Sequence, residues 1–226
     1  MIVRVERLLN AAQLEATRRC MARGAWGDGR ATAGHQSAQV KSNLQLAHTD
    51  PAAREAAEIV IRTLESNALF VSATLPHHLY PPLFNRYDAG MTFGVHVDNA
   101  VRPLPGSHHR LRSDVSATLF LSAPEDYDGG ELVIEDTYGA HAIKLAAGDL
   151  VVYASSSLHH VEPVTRGTRC AAILWVQSMV RDDSARNILF ELDMAIRDLT
   201  QQGAQSESLL RLTSCYHNLL RRWAEM

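Results

Sequence analysis

The spacing of apolar and polar positions changes character twice along the chain. In the first third, Asn10 is followed by Gln13 at the spacing of a capping box, and "AAQLEATRRCMARG" runs on toward a helix-ending Gly24. Asp50 before Pro51 marks a second helix start, and "AAREAAEIVIRTLESN" carries its apolar residues at amphipathic spacing. Between them, the glycines of "WGDGRATAGHQSAQ" read as loop. From about Leu69 to Val180 the chain breaks into short β-rich runs: "LFVSAT", "PPLFNRY", "FGVHVD", "VSATLFLS", "ELVIED", "AIKL", "LVVYAS", "HHVEPV" and "RCAAILWVQSMV". The turn signals "YDAG", "PEDYDGG", "AAGD" and "TRGT" separate them. Strands recurring at roughly 8–12 residue intervals predict a double-sheet jelly roll. After Arg181 the helical period returns in "SARNILFELDMAIRDLTQQ" and "SESLLRLTSCYHNLLRRWAEM", with a polar joint at "QGAQSE". The expected fold class is α+β. Residues 1–68 form an N-terminal helical and irregular part packing on the core, 69–180 the jelly-roll core, and 181–226 a C-terminal helical extension.

Composition narrows the function classes. A chain of 226 residues, 46% hydrophobic and 21% charged, is ordinary for a globular protein. A net charge of −3 with no basic run argues against nucleic acid as the partner. No window approaches the roughly 18–20 apolar residues of a membrane span, so no membrane partner is expected. The opening "MIVRVERLLN" has charges at Arg4, Glu6 and Arg7 and does not read as a secretory signal. Cys20, Cys170 and Cys215 are an odd number without CxxC spacing, which disfavours a disulfide framework and a thiolate zinc site and suits a cytoplasmic protein.

The chemistry begins at "FGVHVD". Side chains alternate along a strand, so His96 and Asp98 share one face while Val95 and Val97 share the other. Burying an imidazole and a carboxylate together is costly unless something satisfies them, and a metal ion does so. A third donor is available in "SSSLHHVEPVTRGTR". His160 shares a face with Glu162, which reads as solvent-facing, whereas His159 shares one with Val161, which reads as core-facing. His159 is therefore the expected ligand. Ten positions on, Arg169 enters the apolar strand "RCAAILWVQ", where a guanidinium needs an anionic partner such as a dicarboxylate co-substrate. Arg166 sits in the "TRGT" turn and reads as exposed. Two histidines and a carboxylate on one side of a metal are the facial triad of non-haem Fe(II) oxygenases, although zinc enzymes also use such sets.

In the order HxD, GGEL, H and R, the segments "NRYDAGMTFGVHVDNA", "ATLFLSAPEDYDGGELVI", "GDLVVYASSSLHHVEPVTRGTR" and "YHNLLRRWAE" resemble the bacterial PKHD-type hydroxylases, within the prolyl-4-hydroxylase-like Fe(II)/2-oxoglutarate-dependent dioxygenases. The resemblance spans nearly the whole chain. It implies a double-stranded β-helix, with His96, Asp98 and His159 as iron ligands and Arg169 on the distal carboxylate of 2-oxoglutarate. It also implies Tyr87 near the co-substrate. Fe(II), 2-oxoglutarate and O2 would be consumed in hydroxylating a small-molecule or protein substrate with release of succinate and CO2, with L-ascorbate as a candidate reductant. Asp98 stands where halogenating relatives carry a small residue, so hydroxylation is implied.

The alternatives are a cupin-like isomerase or hydrolase, which leaves Arg169 unexplained, and a non-catalytic metal- or ligand-sensing module. His77, His78, His108 and His109 read as exposed loop residues, with His108 or His109 a candidate for the substrate mouth. Asp126, Asp128 and Glu131 read as a solvated turn rather than a calcium loop, and Gly129 and Gly130 as backbone geometry. Trp175, Tyr216 and Trp223 read as packing residues, and Cys170 as a small hydrophobe facing away from Arg169. The C-terminal helices suit either a packing appendage or a homo-oligomer surface.

Overall fold

The structure is a computed structural model in which residues 1–137, 139–203 and 207–226 are described. Part of the joint "QGAQSE", residues 204–206, lies outside them. In chain order the elements begin with β1 (Ile2–Val5), α1 (Ala11–Arg23), β2 (Trp26–Asp28), β3 (Lys41–Ser42), β4 (Leu44–Leu46), α2 (Pro51–Ser66) and α3 (Ala68–Thr74). The strands β5 (Pro76–Leu79), β6 (Leu83–Asp88), β7 (Thr92–His96), β8 (Val101–Pro103), β9 (Arg110–Arg112), β10 (Val115–Phe120), β11 (Tyr127–Gly129) and β12 (Leu132–Asp136) follow. The chain continues through β13 (Gly139–Ile143), β14 (Leu150–Ala154), β15 (His159–Val161) and β16 (Val164–Ser178), and closes with α4 (Asp183–Gln201) and α5 (Glu207–Trp223).

Local signals set the helix ends as expected. The Asn10 side chain accepts from the Gln13 N–H at 2.9 Å while Gln13 Oε1 accepts from the Asn10 N–H at 3.0 Å, completing the capping box of α1. Asp50 Oδ1 accepts from the Ala52 N–H at 2.8 Å and caps α2, whose first residue is Pro51.

All the strand pairs are antiparallel. A larger sheet runs β1-β14-β10-β16-β6-β4-β2, with β5 and β11 also pairing with β16, a smaller one runs β13-β12-β15-β7-β3, and β8 pairs with β9 in a separate two-stranded sheet. Between the sheets lie Phe93, Phe120, Tyr127, Leu132, Ile134 and Tyr153, a shared apolar core contributed from both sides. On its other face the larger sheet meets α1, α2 and α3 through Leu119, Val152, Leu174, Val60, Leu64 and Phe70. Strand β16 is thus covered on both faces, the physical reason its apolar run is nearly unbroken. The helices α4 and α5 pack on Leu75 and Val180 through Leu189, Tyr216 and Trp223, in the packing role expected for both aromatics. This two-sheet jelly roll with a helical layer and C-terminal helices matches the expected class.

Three elements differ from expectation. "LFVSAT" forms α3 rather than a strand: Asn67 caps it through the Phe70 N–H at 2.9 Å, and burial on several sides gives a short helix the same apolar run as a buried strand. The first 68 residues contribute β1, β2, β3 and β4 to the two sheets, so this part is not only helical and irregular. The "PEDYDGG" separator holds β11, which pairs with β16 and buries Tyr127 completely.

The close approach of β11 to β16 depends on Gly167. Its φ is +72°, and a Cβ there would sit 2.0 Å from the Asp126 carbonyl oxygen. Replacing Gly167 with Ala is expected to cost about 2 kcal/mol or more, read as a lowered midpoint in chemical unfolding.

Candidate metal centre and co-substrate pocket

On β7 and just beyond it, the usual polarity of a strand is inverted. Val95 and Val97 are 53% and 47% exposed, while the alternate positions His96 and Asp98 turn inward. Strand β15 supplies the third group by direct pairing, with His159 the cross-strand partner of His96 and the ring centroids 4.3 Å apart. His159 is buried, whereas the Nε2 of His160 meets Glu162 Oε1 at 3.1 Å on the opposite face. Asp98 Oδ2 accepts a hydrogen bond from Ser116 Oγ at 2.6 Å, and Ser116 is linked in turn to Ser155 Oγ at 2.7 Å.

The two imidazoles are held in one tautomer. Nδ1 of His96 lies 2.8 Å from the Gly94 carbonyl oxygen and Nδ1 of His159 lies 3.0 Å from that of Ser157. A carbonyl only accepts, so each Nδ1 donates, and in the neutral ring Nε2 is the nitrogen left to ligate. Ligand atoms of His96, Asp98 and His159 all lie within 4.8 Å of one another, close enough to share one ion. Phe93 stacks on His96 at 3.7 Å. Burial, with His159 beside it, pushes His96 down to about 4, which keeps the ring neutral and able to ligate at neutral pH. The donor set fits Fe(II): two neutral nitrogens and one carboxylate on one side, already oriented by backbone and serine partners.

Arg169 lies in the same pocket. It is 2% exposed, its Nε has no hydrogen-bond partner, and no carboxylate among the described residues is in ion-pair range of it. It pairs across β6 and β16 with Tyr87, and its guanidinium carbon is 5.2 Å from the Tyr87 ring centroid and 5.5 Å from that of Phe120. His96, Asp98, His159, Tyr87 and Arg169 all line one cleft, so the geometry brings together every site residue expected from the sequence.

Sequence reasoning missed several neighbours. Tyr127 lies beside Arg169, its hydroxyl without a partner in hydrogen-bond geometry, and burial raises its pKa while Arg169 offsets part of that. The signal available was an aromatic inside an acidic turn. Ser116, which holds Asp98, was legible only as a polar residue in an otherwise apolar strand. Trp175 is buried as expected but also lines the cleft, as do Lys41 and Arg102. Other candidates stay apart. His77 and His78 stack on each other at 4.0 Å on β5 rather than in a loop, and His108 and His109 are exposed and do not line the cleft. Asp128 pairs with Arg166 at 2.6 Å while Asp126 Oδ2 accepts from the Ala123 N–H, so no shared ion site forms there. Cys170 packs with the helix-facing core, away from Arg169.

Comparison with known proteins decides the family. Residues 82–177 match the model of the 2OG-Fe(II) oxygenase superfamily and residues 183–225 that of the PKHD-type hydroxylase C-terminal domain. A PKHD-type hydroxylase of Beijerinckia indica is 56% identical over 226 residues, covering 100% of both chains. The chain belongs to the PKHD-type hydroxylases. Like its family it is an Fe(II)- and 2-oxoglutarate-dependent dioxygenase, using O2. Solved structures share the fold at low identity. A Pseudomonas putida prolyl-4-hydroxylase superposes with a TM-score of 0.53 at 21% identity, over 78% of this chain and 92% of that one. HygX from Streptomyces hygroscopicus, with nickel, 2-oxoglutarate and hygromycin B bound, gives 0.54 at 13% identity, over 79% and 84%. Among the described residues no helix of this PKHD-type chain is long and apolar enough to cross a membrane.

In the metal-free protein, the His96 ring resonances are expected to titrate near 4 rather than near the ordinary value of about 6.5. Because the unfolded chain takes up that proton first, the metal-free fold loses stability as pH falls from about 6.5 toward 4, and keeps it above. NMR titration checks the midpoint, and unfolding at several pH values checks the sign.

Proposed function

We propose that His96, Asp98 and His159 hold the Fe(II), and that Arg169, with Tyr87 beside it, receives the distal carboxylate of 2-oxoglutarate. The observation carrying this reading is a buried guanidinium with an unused Nε in the cleft that the three donors line. A buried cation without an acceptor is costly, so the fold tolerates Arg169 because a ligand carboxylate completes it.

Each residue then has a definite task. The Nδ1 bonds of His96 and His159 aim Nε2 at the ion, and Ser116 holds Asp98 Oδ2 in place. Arg169 sets the length and direction of the co-substrate by a fork of donors, and the aromatic rings of Tyr87 and Phe120 flank its guanidinium. Bound there, Fe(II) supplies the oxidative chemistry by which 2-oxoglutarate and O2 yield succinate, CO2 and a hydroxylated substrate. The three unpaired cysteines suit a cytoplasmic setting, and L-ascorbate would serve as the external reductant.

The reading is tested by anaerobic reconstitution with Fe(II) and 2-oxoglutarate, followed by O2 and a measurement of succinate. Wild type is expected to release succinate above background even without its primary substrate. Asp98→Ala is expected to lose iron retention and turnover, and full activity in that variant refutes the assignment. For Arg169→Ala, the 2-oxoglutarate concentration needed for half-maximal turnover should rise by about 100-fold with iron binding kept, the loss of a charged hydrogen-bonding partner. An unchanged requirement would move the anion site elsewhere.

A further inference from the structure

A second unpaired basic group lines the same cleft. Arg102, on β8, is 8% exposed and its Nε, like that of Arg169, has no hydrogen-bond partner. Its guanidinium carbon lies 3.5 Å from the Trp175 ring centroid and 5.3 Å from that of Tyr80. One face of the guanidinium is therefore covered by the indole, and only its edge is left for polar contacts. Nη2 makes a long hydrogen bond to the Thr32 carbonyl oxygen at 3.5 Å, and the Tyr80 side chain is near enough to favour the charge. Lys41, 5% exposed on β3, lies close enough to Arg102 for the two charges to repel. Its Nζ donates to Gln45 Oε1 at 3.2 Å, an uncharged acceptor shared with the Thr32 hydroxyl at 2.8 Å. Neither cation has a carboxylate in ion-pair range among the described residues.

Elsewhere in this protein, a buried arginine with a packing role finds partners. Arg186, 2% exposed, donates Nη1 to the Val180 carbonyl oxygen at 2.7 Å and pairs with Asp183. Arg102 and Lys41 instead are both buried in the lining of the one cleft. The carboxylate of Asp98 is near enough to favour both charges, but on the reading above it is committed to the metal. Arg169 is already assigned to the co-substrate, which leaves the open Nε of Arg102 without an assigned ligand.

We propose that Arg102 and Lys41 form a substrate subsite for a carboxylate, and that the primary substrate is a small carboxylate-bearing molecule held side-on by the Nε–Nη edge of Arg102. This rests on the dioxygenase reading of the pocket. The indole of Trp175 fixes the plane of the guanidinium, so the carboxylate is received in that plane, and Lys41 adds a point charge without directional preference. Neutral isosteres of the substrate would leave two buried cations unpaired and be rejected.

The test is calorimetric titration of the full chain, loaded anaerobically with Fe(II) and saturating 2-oxoglutarate, with benzoate and with its neutral isostere benzamide. Wild type should bind benzoate saturably and benzamide at least about tenfold more weakly. Arg102→Gln and Lys41→Met should each weaken benzoate by about tenfold or more while keeping the visible charge-transfer band of the Fe(II)–2-oxoglutarate chelate, which reports an intact fold and site. Arg102→Lys, which keeps the charge and loses the fork, should fall between wild type and Arg102→Gln. Equal affinity for the two probes, no benzoate binding, or benzoate binding unchanged by both substitutions overturns the subsite. The band and the binding heat are separate signals: a protein without the band that still binds benzoate through Arg102 loses the metal reading and keeps the anion site.

Discussion

The register between β7 and β15 is the constraint on which the pocket depends. Antiparallel pairing sets His159 directly opposite His96, and the period of two along a strand means that a shift of one residue would present His160 instead. That register is held from outside the site. Val161 is buried in the inter-sheet core opposite Phe93, and β15 is pinned on its other edge by β12, where Leu132 faces Val161 and Ile134 faces His159. Between the pairs His159–His96 and Val161–Phe93, β15 advances two residues where β7 advances three. This irregularity lets Phe93 and His96 both turn inward, so apolar packing aims the donors through a break in the regular alternation.

The same logic explains why the interior between the sheets tolerates so many polar groups. Some buried polar side chains are partnered by the fold itself: Ser116 bonds Asp98, and Arg186 finds the Val180 carbonyl. In the cleft it leaves donors open. The Nε atoms of Arg169 and Arg102 are without partners there, and each of those buried donors carries a cost that a ligand acceptor removes. A pocket rich in unmet donors and poor in free acceptors is matched to anionic molecules. Binding 2-oxoglutarate and a carboxylate-bearing substrate would thus stabilise the fold as well as begin the chemistry.

Much of the site was legible because it lies on short periodic segments. The inversion at "FGVHVD", with valines outward and donors inward, followed from alternation once His96 and Asp98 were seen two residues apart. Choosing His159 over His160 needed only the contrast between Val161 and Glu162. Arg169 stood out because it interrupts an apolar strand. Tyr127, Lys41 and Arg102 were not legible, since each sits in a segment whose polarity is that of an ordinary turn or edge. "LFVSAT" was misread because a short helix buried among others and a buried strand have the same composition.

What the sequence determined by itself is local: helix caps at Asn10 and Asp50, the alternation that gives His96 and Asp98 one face, and the two amphipathic helices at the C-terminus. These depend on neighbours within a few residues, where covalent geometry sets the period. The tertiary structure alone decided which distant groups share the cleft. Lys41, Arg102 and Trp175 lie far apart in the chain and meet because β3, β8 and β16 belong to three different sheets folded around one space. No local pattern encodes that meeting, because burial of a charge is a property of what packs over it and not of the residues beside it in sequence.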